Sequence, residues 1–250
     1  MEKNALVTGA SGGIGFVFAQ ALAREGYAVT AVARREEKLR ELVQSLPGAG
    51  HTYQVCDLSD SAAVERLAAH VEETHYDLLV NNAGAGHYAS FEDTPLVKMQ
   101  EIMRLNCDAL LRLSHAFLVR AERGDALVNV ASILSMLPYP PANVYAATKA
   151  FVLSLSESLW YENKSRGVYV LALCPGVTES GFHTAAGGTA HEKPSTWLTQ
   201  TAEEVVAETM HALHHRKNPV LITGWKNRLG LFFTRLLTHK KIVKLMGAWQ

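Results

Sequence analysis

Short apolar runs alternate with longer amphipathic stretches along most of this chain, and that alternation limits its fold more than any other feature. The runs lie at residues 5–7, 28–32, 52–55, 77–80, 127–130, 168–173 and 219–222. Between the first six lie stretches with apolar residues at helical spacing, at 13–24, 36–45, 62–73, about 95–120 and about 142–163. Strand-length runs alternating with helix-length stretches imply βαβ units, and therefore a parallel sheet with helices on both faces. No Pro-, Gly- or Ser-rich linker, internal repeat or low-complexity tract divides the chain. The expectation is one doubly wound α/β domain with a seven-stranded parallel sheet over residues 1–224. Residues 225–250 are read as a basic amphipathic, helical C-terminal extension of that domain.

Composition narrows what such a domain can do. The 250 residues are 48% hydrophobic, ample for a buried core, and 24 basic residues balance 24 acidic ones. A neutral chain is a poor nucleic-acid binder, because phosphate contacts require a basic surplus. Cys56, Cys107 and Cys174 are widely spaced with no CxxC pair, which argues against a disulfide scaffold or a cysteine zinc site. His211, His214 and His215 fall in a surface-type helix, where solvated imidazole is expected, and no metal site is predicted. The N-terminal MEKNALVTG carries no basic segment followed by an apolar run, and no stretch reaches the ~18 uncharged apolar residues of a membrane span. A soluble, cytoplasmic protein with reduced thiols is the expectation.

Directly after the first run comes Thr8-Gly9-Ala10-Ser11-Gly12-Gly13-Ile14-Gly15, leading into a helical stretch. The spacing is T-G-x-x-x-G-x-G. Glycines at these positions permit a tight turn and close backbone approach to a pyrophosphate at a helix N-terminus. Alone, such a turn can simply let helix and strand pack closely; its position after the first strand of a βαβ series favours dinucleotide binding. The second run ends in Ala33-Arg34-Arg35, where an NAD-binding protein usually places a carboxylate for the ribose hydroxyls. Two guanidinium groups suit the 2′-phosphate of NADP instead, so NADP (NADPH) is expected ahead of NAD.

Ser132, Tyr145 and Lys149 are the candidate chemical groups. Tyr145 and Lys149 stand at i and i+4 of one helical stretch and share a face. Ser132 follows the fifth run, at the carboxyl edge where open α/β sheets bind ligands. A tyrosine working near pH 7 needs its pKa lowered by up to ~3 units from about 10, and the Lys149 cation is expected to supply part of that. Ser132 would hydrogen-bond the substrate oxygen and polarise it.

These residues together resemble the short-chain dehydrogenase/reductase family, a Rossmann-type fold. The resemblance rests on TGASGGIG (8–15), Asp57-Leu58, NNAG (81–84), Asn106, Ser132, YAATK (145–149) and PGVT (175–178). It spans residues 5 to about 178, some 70% of the chain, with the family's usual thirteen-residue step from Ser132 to Tyr145. It implies that Gly9, Ser11, Gly13, Ile14 and Gly15 cradle the coenzyme phosphates and that Asp57 and Leu58 lie around the adenine. Asn82, Ala83 and Gly84 would close on the adenosine half, and Asn106 would hold a proton-relay water near Lys149. Lys149 would also grip the nicotinamide ribose, with Pro175, Gly176, Val177 and Thr178 beside the carboxamide. NADP users in the family often carry Arg or Lys just before the second motif glycine. Gly12 stands there in this chain, which leaves Arg34 and Arg35 as the support for NADP.

The resemblance implies reduction of a ketone or aldehyde, or the reverse alcohol oxidation, in a homodimer or homotetramer built on the long helices. The intact Asn106, Ser132, Tyr145 and Lys149 favour this over a catalytically silent dinucleotide-binding redox sensor, which would have no use for a proton path. A substrate loop is expected over residues 179–200 as a lid, with Gly187-Gly188 as hinge and Phe182, His183, Trp197 and Leu198 toward an apolar pocket. His87 and Tyr88 are further candidates for its lining. Residues 225–250 hold six basic residues and no acidic one, leaving 18 basic against 24 acidic elsewhere. Leu229, Phe232, Phe233, Leu236 and Leu237 recur there at helical spacing. Such a helix can lie on an anionic membrane surface, but packing over the pocket or against a neighbouring subunit is the favoured expectation.

Overall fold

The computed structural model describes residues 3–187 and 199–248. Its first half alternates strictly: β1 (Lys3–Thr8), α1 (Gly13–Arg24), β2 (Tyr27–Ala33), α2 (Glu36–Ser45), β3 (Thr52–Val55), α3 (Ser61–Glu73) and β4 (Leu78–Asn81). Then come α4 (Leu96–Met103), a π-helical turn (Arg104–Asp108), α5 (Ala109–Arg120), β5 (Ala126–Val130), α6 (Asn143–Asn163) and β6 (Tyr169–Cys174). The short α7 (Phe182–Ala185), α8 (Ala202–His215), β7 (Val220–Ile222), α9 (Trp225–Thr234) and α10 (His239–Gly247) complete the described chain. All seven strands are parallel, in the order β3-β2-β1-β4-β5-β6-β7.

Period-two alternation divides the strand residues between two cores. In β1, Ala5 and Val7 pack with α1, α2 and α8, while Leu6 packs with α3 and α5. In β5, Val128 and Val130 point to the first core and Leu127 to the second; in β6, Leu171 and Leu173 oppose Val170. Strands buried on both faces need near-continuous apolar sequence, which is why these runs stood out. The strand order reverses between β1 and β4, opening a crevice at their carboxyl ends. Below it a buried chain of amides ties the layers together. Asn81 of β4 donates to Ser114 of α5 and to Asn129 of β5, and Asn129 donates to Ser156 of α6, all at 3.0–3.1 Å.

Two expected helices are interrupted. The stretch at 95–120 is broken by the π-helical turn around Asn106, whose extra residue per turn leaves the surrounding apolar spacing almost unchanged. The C-terminal segment is two helices rather than one. Bonds from Leu236 N–H to the Phe233 carbonyl and from Leu237 N–H to the Thr234 carbonyl tighten the end of α9, and α10 restarts after Thr238. No described helix is long and apolar enough to cross a membrane.

Candidate active site

The loop after β1 shows why glycine is required there. Gly9 has φ +67° and Gly13 φ +54°, in the left-handed region. A Cβ on Gly15 would stand 2.5 Å from the Gly9 carbonyl oxygen, so any side chain would force the loop apart. Gly12 caps α1 with no side-chain hydrogen bond, and the first turn has no acidic residue. The N–H groups of that turn and its positive dipole end therefore suit a pyrophosphate.

Two arginines follow β2. Arg35 reaches across the cradle, donating from Nη2 to the Ser11 carbonyl at 2.8 Å and from Nε to Ser11 Oγ at 3.2 Å. Its Nη2 would lie 3.2 Å from a Cβ on Gly12, so the glycine at that position makes room for the guanidinium. Arg34 is exposed and lies 3.9 Å from Asp57. Burial works to raise the Asp57 pKa, but hydrogen bonds from the Ser59 N–H and hydroxyl, with Arg34 nearby, bring it below the ordinary value. Leu58 beside it is buried.

The turn after β4 is fastened to the cradle by Thr8, which heads the T-G-x-x-x-G-x-G spacing but was given no role of its own in the sequence. Thr8 Oγ1 accepts from the N–H groups of Asn82 and Ala83 at 2.9 and 3.0 Å. Asn82 Nδ2 donates to the Thr8 carbonyl at 2.9 Å, so its amide holds the two turns together. A Cβ on Gly84 would meet Asn106 Oδ1 at 3.3 Å and Lys149 Nζ at 3.4 Å, which brings this turn against those two side chains. Asn106 is buried in its π-helical turn and fully bonded. Its Oδ1 accepts from Ala85 N–H, and its Nδ2 donates to the Ala85 carbonyl and to Thr148 Oγ1, each at 2.9 Å.

Ser132, Tyr145 and Lys149 converge at the carboxyl edge of β5. Ser132 Oγ accepts from Leu134 N–H at 3.1 Å, which leaves its own proton to donate, and it hydrogen-bonds the Tyr145 phenol. Lys149 Nζ donates to the Val130 carbonyl at 2.7 Å and lies 5.7 Å from the centre of the Tyr145 ring. The electrostatics differ from the sequence expectation. Burial raises the Tyr145 pKa, and only the Ser132 hydrogen bond pulls it down. Burial lowers that of Lys149 to about 8, with the Cys107 and Cys174 thiols opposing the fall. The protein alone thus holds both groups toward their neutral forms, because desolvation of the shared site is the largest effect on each.

Residues 175–178 run alongside. The Pro175 carbonyl accepts from Ile133 N–H at 2.9 Å, and Gln200 N–H bonds the Val177 carbonyl at 2.9 Å, which brings residue 200 back beside residue 177. Thr178 Oγ1 donates to the Gly176 carbonyl at 3.2 Å. Asn227 of α9, a residue the sequence reading missed, sits so close to Gly176 that no Cβ fits there. It is held by a 2.9 Å bond to the Thr223 carbonyl. Arg228 pairs with Glu208 of α8 at 2.9 Å, so α9 is tied to the body of the domain.

α7 covers the phenol. The Phe182 ring lies 5.3 Å from that of Tyr145 and would be 3.0 Å from a Cβ on Gly86. Tyr88 sits 5.2 Å from His183 and edge-on to Tyr139, and its N–H bonds the Ala186 carbonyl. Tyr88 and His183 therefore join this cluster, and His87 next to Tyr88 is half-buried. Gly188, Trp197 and Leu198 lie outside the described residues. His211, His214 and His215 are exposed on α8, with His214 bonded to Glu25 at 3.1 Å and His215 to the His211 carbonyl.

Comparison with known proteins converges on one group. Residues 3–190 match the family described as short chain dehydrogenase. Serine 3-dehydrogenase of Rhizobium radiobacter is 31% identical over 218 residues, 84% of this chain and 87% of that protein. The 3beta-hydroxysteroid dehydrogenase of Mediterraneibacter gnavus is 30% identical over 231 residues, 88% and 79% of the two chains. Among solved structures, a short-chain dehydrogenase from Sphingobium yanoikuyae in complex with NADPH aligns with a TM-score of 0.83 at 28% identity, over 94% of both chains. A 7beta-hydroxysteroid dehydrogenase aligns with a TM-score of 0.88 at 26% identity, over 98% of this chain and 96% of that one.

Proposed function

Because the chain belongs to the short-chain dehydrogenase family of NAD(P)-dependent oxidoreductases, we propose that it reduces a ketone or aldehyde reversibly with NADPH, Tyr145 acting as general acid. The observation that carries the reading is the convergence of Ser132, Tyr145 and Lys149 beside a glycine cradle with no room for side chains. When bound, the nicotinamide supplies the hydride in reduction and accepts it in oxidation. Gly9, Ser11, Gly13, Ile14 and Gly15 would hold the coenzyme's pyrophosphate, Asp57 and Leu58 its adenine, residues 82–84 its adenosine half, Lys149 its nicotinamide ribose, and residues 175–178 the flank of its carboxamide.

The chain's own residues do the rest. Ser132, its hydroxyl oxygen already accepting from Leu134 N–H, donates a hydrogen bond to the substrate oxygen and fixes it beside the phenol. Tyr145 passes its proton to that oxygen as the carbonyl becomes an alcohol, and takes it back in oxidation. Lys149, buried against the phenol and the Val130 carbonyl, stabilises the charge left on Tyr145. Asn106, through Ala85 and Thr148, fixes the wall that positions Lys149. Phe182 excludes water from the phenol while α7 is closed, and Phe182, Tyr88 and Tyr139 give the substrate an aromatic wall suited to an apolar body.

Arg34 and Arg35 support NADPH over NADH, since β2 ends in no carboxylate, Arg35 lies across the cradle and Arg34 stands beside Asp57. Exposed Val119 of α5, with Phe151 and Tyr161 of α6, supports pairing of two copies along those helices, which light scattering at two concentrations tests. The function itself is tested with a panel of ketones, aldehydes and alcohols, read as nicotinamide absorbance with each coenzyme. Turnover of a carbonyl with NADPH is expected. Coenzyme binding with no turnover of any panel member would favour a redox-sensing role instead.

A further inference from the structure

The C-terminal helices do not bury their apolar stripe. Only Leu231 of α9 and Ile242 of α10 are turned inward among the large apolar residues there. Trp225 (60% exposed), Leu229, Phe232 (58%), Phe233 (55%), Leu236 (73%) and Leu245 stand in solvent. The expected packing of this stripe over the pocket is therefore absent from the protomer. The reason is geometric: the turn at 235–238 redirects the chain, and α9 is fixed by its polar side through Asn227 and Arg228. α10 packs by its end against the Pro140–Ala142 turn, where Gly247 approaches Pro140.

Six aromatic or aliphatic side chains in solvent within one short segment are more than scattered surface hydrophobics. The segment is also basic throughout, with Lys226, Arg228, Arg235, Lys240, Lys241 and Lys244 and no acidic residue, against an acidic surplus in the rest of the chain. Arg235, Lys240, Lys241 and Lys244 are exposed beside the apolar residues. We propose that α9 and α10 form a docking surface for an anionic lipid membrane, lying in its headgroup region. The charge decides between occupants. A two-fold contact with a second copy would set this basic surface against itself, because isologous interfaces pair identical patches. An anionic bilayer offers the opposite charge across its whole surface and an acyl boundary for Phe232, Phe233 and Leu236, while Trp225 suits the interface itself.

Each basic side chain near an anionic surface adds roughly fivefold to binding, so four together contribute several hundredfold. The test is sedimentation of the full chain with phosphatidylcholine vesicles, with and without a quarter of phosphatidylserine, at low salt. Wild type should pellet with the anionic vesicles and stay in solution with neutral ones. At 1 M salt, where the Debye length is about 3 Å, it should be largely released. Two variants split the contributions: F232S/F233S/L236S and R235Q/K240Q/K241Q/K244Q. All seven positions are exposed, so both variants should keep the wild-type circular dichroism and light-scattering mass, and both should lose pelleting at least tenfold. Wild type that stays in solution with anionic vesicles overturns the proposal, as does equal pelleting with neutral ones or unchanged pelleting of either variant. A fall in mass for the serine variant would overturn it in favour of a contact between copies.

Discussion

Replacing Lys149 by methionine should stabilise the free protein at pH 7 and abolish that gain at pH 10. Lys149 is 4% exposed, and burial lowers its pKa from 10.5 to about 8. At 1.36 kcal/mol per pKa unit, keeping that ammonium charged in the folded state costs about 3 kcal/mol. Methionine of similar length carries no such cost but forfeits the 2.7 Å bond to the Val130 carbonyl, worth ~1 kcal/mol net. The expected gain at pH 7 is about 2 kcal/mol, or roughly 4–8 °C in Tm for a chain of this size. Below pH 8 folded and unfolded chains are both protonated and wild type bears the full cost. Between pH 8 and 10.5 the unfolded chain holds the proton that the folded one has released, so wild-type stability rises with pH. By pH 10 less than ~1 kcal/mol of the cost remains, and the lost hydrogen bond cancels it. Urea unfolding of both proteins at pH 7 and pH 10 measures the two differences, with other titrating groups common to both. A methionine variant less stable than wild type at pH 7, or a difference equal at the two pH values, would refute the argument.

Tyr145→Phe keeps the ring packed against Phe182 and removes only the proton, so turnover should fall ~10²–10⁴-fold with coenzyme affinity intact. More than a tenth of the wild-type rate remaining would dismiss Tyr145 as the acid. Neutralising Arg34 and Arg35 to alanine together should weaken NADPH by about 1–3 kcal/mol and barely affect NADH in fluorescence titrations. Equal losses for both coenzymes would mean that the arginines do not read the 2′-phosphate. Gly176→Ala drives a methyl into Asn227 and should cost ~1–3 kcal/mol in thermal unfolding, while adding Asn227→Ala should recover most of it. Additive losses would show that the two residues do not press on one another.

The five inner strands were legible because each is buried along most of its length and reads as an apolar run, whereas β3 and β7, at the sheet edges, are part-exposed. The glycine cradle was legible because positive φ at Gly9 and Gly13 and the close approach at Gly15 exclude other residues. The tie that Thr8 makes to the β4 turn, and Asn227 altogether, were not. Their roles lie in single hydrogen bonds or contacts across the fold, and neither disturbs local periodicity. The π-helical turn at Asn106 was hidden for a related reason, since one inserted residue in a long helical stretch changes its spacing too little to register. The electrostatics of Tyr145 and Lys149 were misjudged because spacing gives their proximity but not their desolvation, and desolvation is the larger effect here. Gly12 reads in sequence as a missing basic residue. In the fold it is the gap through which Arg35 crosses the loop.

The strand order also sets a schedule for folding during synthesis. β1, β2 and β3 leave the ribosome in turn, and each can pair with its predecessor. β4 must then return to the free edge of β1, matching residues 5–7 with 78–80 across two intervening strands and three helices of chain. That is the one long loop closure; β5, β6 and β7 each dock on the strand made just before. Until β7 emerges, β6 offers a six-residue, wholly buried-type edge to any other unpaired strand. A chain halted before residue 220 would already contain Ser132, Tyr145 and Lys149, yet would leave that edge open to aggregation. The last strand is only three residues long, and it closes the side of the sheet on which a nascent chain is most vulnerable.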